Sequence, residues 1–297
     1  MASTIVGKSG RVYIQGEVLQ RHREDHKLSV FKAESGGQAF VFKRVTRPFY
    51  DLSLRLAAEF AGSRRLRMHI DFNQEEGILF YPFFKSTVLA LIQDDADIPV
   101  AERKKILRCT GEALQELHSK DWIHIDVKPD NILVNWTSDR EGNKTISDVN
   151  LGDFDIAFKP EGGEPLHTPY AIGNAMWRSP EGQTGKGVTK ASDIFSFGLV
   201  CIYALGGGEL LLLNDYQELV SRGITPEQEV VTRHFSYFGP VPEGLFKHVD
   251  SEYWFERWGQ DLGPEALDMI SGMTNLDPTA RTTIDQVLTH GWWQGAP

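Results

Sequence analysis

Cysteine is scarce. Cys109 and Cys201 are the only two in 297 residues. Both lie in apolar, helix-like surroundings, so they read as core thiols rather than as a disulfide framework. No Cys/His cluster has the spacing of a zinc site. Long apolar runs are missing too. The longest, residues 210–213 with 202–205 upstream, is interrupted by Gly206, Gly207, Gly208 and Glu209, which makes it too short and too broken to span a bilayer. Residues 1–6 have no basic stretch followed by an apolar one, so no signal peptide is expected, and Ala2 stands where N-myristoylation needs a glycine. Positive charge is in deficit: 31 Lys and Arg against 41 Asp and Glu leave a net charge of −10. That balance argues against non-specific binding to nucleic acid or to an anionic membrane, and it is compatible with basic protein substrates. The expectation is a soluble intracellular protein, cytoplasmic or nuclear, with no nucleic-acid or membrane partner and an oligomeric state the sequence leaves open.

What is present suits a packed core. Apolar residues make up 41% of the chain and charged residues 24%, an ordinary core and surface. The length exceeds the usual single-domain size but is common for two-lobed enzymes. Up to about residue 81 the pattern is mainly short strands, at 11–19, 28–33 and 38–45, with Gly36-Gly37 as a turn. A helix is expected over 51–66, then strands over 68–72 and 77–84. After Pro82 helices dominate, at 86–92, 100–119, 193–205, 264–273 and 283–290, the second with Ile106, Leu107, Thr110, Ala113, Leu114 and Leu117 on one face. There is no internal repeat. Residues 135–144 are polar and turn-rich and are expected to lengthen a surface hairpin.

The chemistry concentrates in His124-Ile125-Asp126-Val127-Lys128-Pro129-Asp130-Asn131 and, further on, Asp153-Phe154-Asp155. Each residue has a plain reading alone: a lone aspartate is most often a turn or capping residue, and Pro129-Asp130-Asn131 could be turn chemistry only. Their joint occurrence between apolar runs, Trp122-Ile123 before, Ile132-Leu133-Val134 after and 149–151 ahead of Asp153, points to hairpin strands presenting polar groups at their ends. The spacing H-x-D-x-K-x-x-N resembles the catalytic loop of protein kinases, and D-F-D is similar to their D-F-G metal motif. Phe40-Val41-Phe42-Lys43 resembles the V-A-I-K strand. Further matches follow in order: Ser179-Pro180-Glu181 for A-P-E, Ser192-Asp193 at the start of the large central helix, Arg281 as the partner of Glu181, and Gly173-Asn174 through Arg178 for the substrate-docking turn. The likeness runs from about Val12 to Trp293.

That resemblance implies an α+β, two-lobed protein-kinase-like fold: a single domain over 1–297, with a small β-rich N-lobe at about 11–84 and a larger, mainly helical C-lobe at about 85–293. It implies ATP and Mg²⁺ as cofactors and a protein substrate, of the Ser/Thr class because the docking turn lacks the proline-containing tyrosine-kinase pattern. The roles it implies are Asp126 for the acceptor hydroxyl and Lys128 beside the transferring phosphoryl. Asn131 and Asp153 would be metal ligands, Lys43 the phosphate-binding lysine with Glu59 as its ion-pair partner, and Val30 and Val41 the nucleotide roof. Asn174, where such kinases usually carry threonine, is expected to donate toward Asp126, and Asp193 to anchor the catalytic loop backbone.

The likeness also has gaps. Residues 20–27, where a glycine-rich phosphate loop belongs, contain no glycine, although close backbone approach to phosphates normally requires it. Val41 replaces an alanine, Ile125 an arginine and Asp155 a glycine. Three readings follow: an active protein kinase, a pseudokinase serving as a binding scaffold, and a small-molecule kinase of the aminoglycoside or choline type. Lys128 and the Glu181, Asp193 and Arg281 set fit the last of these less well.

Overall fold

Alternating apolar residues in the first third of the chain lay down a sheet with one packed face. The computed structural model describes residues 3–22, 25–95, 97–207, 216–239 and 262–294. The chain divides into two units, residues 1–85 with 150–155, and residues 86–149 with 156–297.

The first unit is built on six antiparallel strands: β1 (Thr4–Val6), β2 (Val12–Gln20), β3 (Val30–Ser35), β4 (Gln38–Arg44), β5 (Asp71–Asn73) and β6 (Ile78–Pro82). Their order across the sheet is β1-β2-β3-β4-β6-β5. Ile5, Tyr13, Phe31, Phe40, Phe42 and Phe80 form the core on one face, with the Tyr13 ring stacked on Phe80 at 3.7 Å. Because side chains alternate along a strand, Val30, Val41 and Lys43 fall on the other face. Val30 is directly opposite Lys43, and Val41 is opposite Tyr81. Strand β1 was not legible in the sequence. Three residues are too few to establish a period, and pairing with β2 makes it a strand.

Helix α1 (Arg47–Glu59) starts four residues before the expected 51 and stops seven short of 66. Pro48 in the first turn fits a helix start, where its missing N–H costs nothing. At the far end Gly62 takes φ 82, and Ser63 Oγ accepts from the backbone N–H of Arg65 and Leu66. The chain thereby turns into a parallel bridge between Leu66 and Leu151, closed by Leu151 N–H to Arg65 O and Arg67 N–H to Leu151 O, both 2.8 Å. That bridge ties residues 150–155 to the first unit.

The second unit holds β7 (Ser86–Thr87), β8 (Ile132–Ser138) and β9 (Lys144–Leu151) in a small sheet, and β10 (Leu166–His167) paired with β11 (Lys186–Val188). Its helices are α2 (Val88–Asp94), α3 (Val100–Ser119), α4 (Pro180–Thr184), α5 (Lys190–Ile202), α6 (Tyr216–Ser221), α7 (Pro226–Phe238), α8 (Pro264–Met273) and α9 (Ile284–Thr289). Helix α3 matches its expected span and buries the expected face. Helix α5 starts three residues before the expected 193, at a capping box between Thr189 and Ser192, and is buried from Ser192 to Ile202, as befits a helix apolar on all sides. The helix expected over 86–92 opens instead with the two β7 residues. The strand expected at Trp122-Ile123 is reduced to one bridge, Ile123 with Phe158. Cys109 and Cys201 are buried and neither forms a disulfide. The apolar run at 210–213 lies outside the described residues. Among the described residues no helix is long and apolar enough to cross a membrane.

Candidate functional site

In the first unit the site centres on Lys43, carried by β4 on the face away from the aromatic core. Its Nζ lies 2.7 and 2.9 Å from the two carboxylate oxygens of Asp155 and 3.1 Å from Asp153 Oδ1, and 5.9 Å from the centre of the Tyr81 ring. Burial alone would lower the lysine's pKa. Tyr81, Asp153 and Asp155 outweigh it and hold the ammonium well above its ordinary value. Asp153 itself sits in the left-handed region at φ 63, a conformation that costs a non-glycine residue about 1–3 kcal/mol and persists where the surroundings enforce it. Here the Leu151 bridge and the Lys43 ion pair flank it.

The sequence predicts an ion pair between Lys43 and Glu59, and the geometry shows two aspartates at the lysine. The carboxylates within hydrogen-bond distance of the ammonium belong to Asp153 and Asp155. The substitution at Asp155 adds the second of these carboxylates. A glycine there would offer no side chain, whereas the aspartate reaches the lysine with both oxygens. Val30 and Val41 share the sheet face of Lys43, with Val41 buried. Sequence reasoning missed Arg67. Its Nε and Nη2 donate to Pro82 O at 3.1 and 2.7 Å, and its guanidinium lies 5.1 Å from the Tyr81 ring. Burial lowers its pKa to about 10, against the opposing influence of Tyr81 and Asp153. No motif marks Arg67 among the other arginines of that stretch.

In the second unit the loop from His124 to Asn131 converges on the Asp126 carboxylate. Lys128 Nζ donates to Asp126 Oδ2 at 2.6 Å, Asn131 Nδ2 to the same oxygen at 3.1 Å and to Asp126 O at 2.9 Å, and the backbone N–H of Asn174 to Asp126 Oδ1 at 2.8 Å. Asn174 therefore meets Asp126, but through its backbone. Its side-chain oxygen accepts from Met176 N–H at 3.1 Å, the local capping typical of asparagine. With Nδ2 engaged, Oδ1 is the atom of Asn131 left to receive a cation.

The loop is pinned from beneath by Asp193 on α5, fully buried. Its oxygens accept the N–H of His124 and of Ile125, both at 2.8 Å, and pair with His118 Nε2 at 2.9 Å. The anchoring role of Asp193 was legible; His118 was not, because a histidine near a helix end carries no spacing signal. The pinned loop forces Ile125 to φ 71, unusual for a β-branched residue. A Cβ at Gly173 would come within 2.7 Å of Ile125 O, so glycine is required where the docking turn crosses the loop. The Ile125 side chain is buried with Ile123 and Val188, against Phe158, Leu166 and Ile172. Downstream, Glu181 and Arg281 form a bidentate pair at 2.5 and 2.9 Å, with Ser192 Oγ on Glu181 Oε1 at 2.8 Å.

The oxygen donors at the candidate metal positions, a carboxylate and an amide oxygen, are hard ligands of the kind Mg²⁺ takes alongside substrate phosphates and water. Among the described residues no group of three or more His, Cys, Asp or Glu side chains is placed to hold a metal ion.

Comparison with known proteins gives a consistent picture. The model of the protein kinase domain matches residues 70–293. Mitogen-activated protein kinase mpkA of Aspergillus fumigatus is 24% identical over 279 residues, 86% of this chain and 63% of that protein. A probable serine/threonine-protein kinase pXi of Dictyostelium discoideum is 28% identical over 184 residues, 62% of this chain and 21% of that protein. MAP kinase-interacting serine/threonine-protein kinase 1 of Xenopus tropicalis is 22% identical over 312 residues, covering 99% of this chain and 69% of that protein. The chain thus spans 63% of the length of mpkA and far less of pXi.

Proposed function

The chain belongs to the protein kinase family, and we propose that it transfers the γ-phosphoryl group of ATP, with Mg²⁺, to serine or threonine hydroxyls of a protein substrate. The observation that carries this reading is the Asp126 carboxylate, oriented by Lys128, Asn131 and the Asn174 N–H at 2.6–3.1 Å. A carboxylate held this firmly is suited to align an acceptor hydroxyl and take its proton. Lys128 is suited to balance charge on the transferring group, and Lys43 to hold the phosphates. Asn131 and Asp153 would hold Mg²⁺, whose contribution is neutralisation of phosphate charge. Val30 and Val41 would cover the base. The domain would be single, with the lobes at about 11–84 and 85–293. The serine/threonine names of its relatives support the acceptor class.

A second reading is favoured by one observation. The β2–β3 connection contains a short 3₁₀ turn over His26–Leu28 and no glycine, so side chains stand where a phosphate-cradling backbone would be expected. A binding scaffold without catalysis follows from that. Titration with Mg·ATP, read by thermal shift, separates the two, followed by a phosphorylation assay on a generic basic substrate. Under the catalytic reading the parent binds Mg·ATP and turns over, while Asp126→Asn keeps nucleotide affinity and loses about 100-fold or more in kcat. Absence of Mg·ATP binding by the parent would sink the catalytic reading and favour the scaffold.

A further inference from the structure

The third residue of Asp153-Phe154-Asp155 carries more than a departure from pattern. An ammonium has three N–H donors. Around Lys43 three acceptor oxygens lie within hydrogen-bond distance, two of them from Asp155 at 2.7 and 2.9 Å and one from Asp153 at 3.1 Å. Both ends of a three-residue segment are thereby clamped to strand β4, with Phe154 buried between them. The segment is fixed on its other side by the Leu66–Leu151 bridge. Helix α1 closes at Glu59, and the oxygens within reach of the lysine are those of Asp153 and Asp155. An aspartate has one fewer rotatable bond than a glutamate, so less side-chain entropy is lost in holding the lysine. The Lys43 side chain is 16% exposed and that of Asp155 36%, so the lysine end of the pair is shielded while the carboxylate end is partly screened by solvent.

We propose that Asp155 is the positioning residue for Lys43, holding it by a carboxylate supplied from the metal-motif segment. It orients the ammonium toward nucleotide phosphates, and it couples the placement of Lys43 to that of Asp153. This inference rests on the phosphoryl-transfer reading above.

Two measurements on the full chain test it. The first needs no nucleotide: double-mutant cycles read by urea unfolding, pairing Lys43→Met with Asp155→Asn and, separately, with Glu59→Gln. Non-additivity is expected for the Asp155 pair and additivity for the Glu59 pair. The reverse pattern, or additivity in both, overturns the proposal. The second is the kinetic split. Asp155→Asn is expected to raise the KM for ATP about tenfold while kcat changes less than about threefold, and Asp155→Glu to recover part of the loss. Asp155→Gly, which removes the side chain altogether, should behave like Asp155→Asn. Coupling to Lys43 without any change in KM would make the pair merely structural and would overturn the positioning role. A parent that binds no Mg·ATP would bring down the phosphoryl-transfer reading and the positioning role with it. The unfolding cycle would still report whether Asp155 is the partner of Lys43, so the two failures are distinguishable.

Discussion

Asp126 and Asp153 are both aspartates in polar segments, yet their surroundings assign them different work. Asp126 is gripped by a lysine, an amide and a backbone N–H, which orient it without consuming its capacity to accept. Asp153 sits at φ 63 against Lys43, where its charge faces a cation. Asp153→Asn is therefore expected to weaken Mg·ATP binding about tenfold or more, an affinity effect that calorimetric titration reads directly. Asp126→Asn should leave the same titration unchanged. Asp193 works differently again. Replacing it with alanine strands two buried N–H groups and the His118 ring, each unsatisfied group costing about 1–3 kcal/mol. The Asp193→Ala chain should unfold at markedly lower urea concentration, and equal midpoints for variant and parent would refute the anchoring role.

Between elements, ionic and aromatic contacts join segments that sequence separation keeps apart. Glu181 on α4 and Arg281, ahead of α9, meet in a buried pair. Burial pushes the Glu181 pKa up, but Arg281 and Ser192 pull it below its ordinary 4.5. Breaking the pair by Arg281→Met leaves a buried carboxylate without its cation, held by the Ser192 hydroxyl, and should cost about 3–5 kcal/mol, whereas Glu181→Leu with Arg281→Met should lose less than the single change. Unfolding titrations of the three chains check this. Helix α7 adds a pH dependence. His234 is buried against Phe195 and Phe238, and its Nδ1 has no hydrogen-bond partner among the described residues. Burial, aided by the positive charge of Arg281, lowers its pKa from 6.5 to about 3. As pH falls below 6.5 the unfolded chain takes up this proton before the folded one does. Its contribution is therefore present in full above 6.5 and lost on acidification, by about 1.4 kcal/mol per pH unit at most until pH approaches the folded value. His234→Phe should flatten the stability profile between pH 6.5 and 4, measured by unfolding across that range. A variant with the parent's slope would show that other groups carry the acid dependence.

For the whole molecule the question is what orders the segment between Asp153 and Glu181. In family members with an arginine before the catalytic aspartate, a phosphate on that segment can pair with it. Here Ile125 occupies the position and packs against Phe158, Leu166, Ile172 and Val188, so apolar contact replaces an ionic one. Trp177 is buried, edge-on to Tyr203 at 5.7 Å, and the Glu181–Arg281 pair closes the segment. Thr168 Oγ donates to Tyr170 O at 2.6 Å, and Tyr170 is exposed. Activity of phosphatase-treated protein, and of a Thr168→Ala/Tyr170→Phe variant, is expected to stay within about twofold of the parent, the scatter of surface substitutions. A large loss in either with folding intact would mean that a cation elsewhere receives a phosphate, with Lys159 and Arg178 the first to replace. Ile125→Arg should destabilise the chain instead of creating a phosphate site, because it buries a charge in an apolar cluster.

The sequence alone determined the order of the elements and the chemistry at their ends. Strand alternation located β2 to β4, helical periodicity delimited α3 and α8, and local spacing identified Asp126, Lys128 and Asn131 as one group. Such features depend on neighbours within a few residues, so they survive in a linear reading. Asp193 and Arg281 were found as well, because ordered motifs carry long-range pairings when the family likeness is strong. Tertiary structure decided the rest. Strand β1 exists only through pairing with β2. The end of α1 was set by Gly62 and the Leu66–Leu151 bridge rather than by helix propensity. Asn174 meets Asp126 through its backbone because its side chain is taken by a local turn. The partner of Lys43 could not be read from helix spacing, since it depends on which carboxylate reaches the ammonium first. Asp155 and Asp153, more than 100 residues along the chain, are brought there by the fold, and no local pattern encodes that distance.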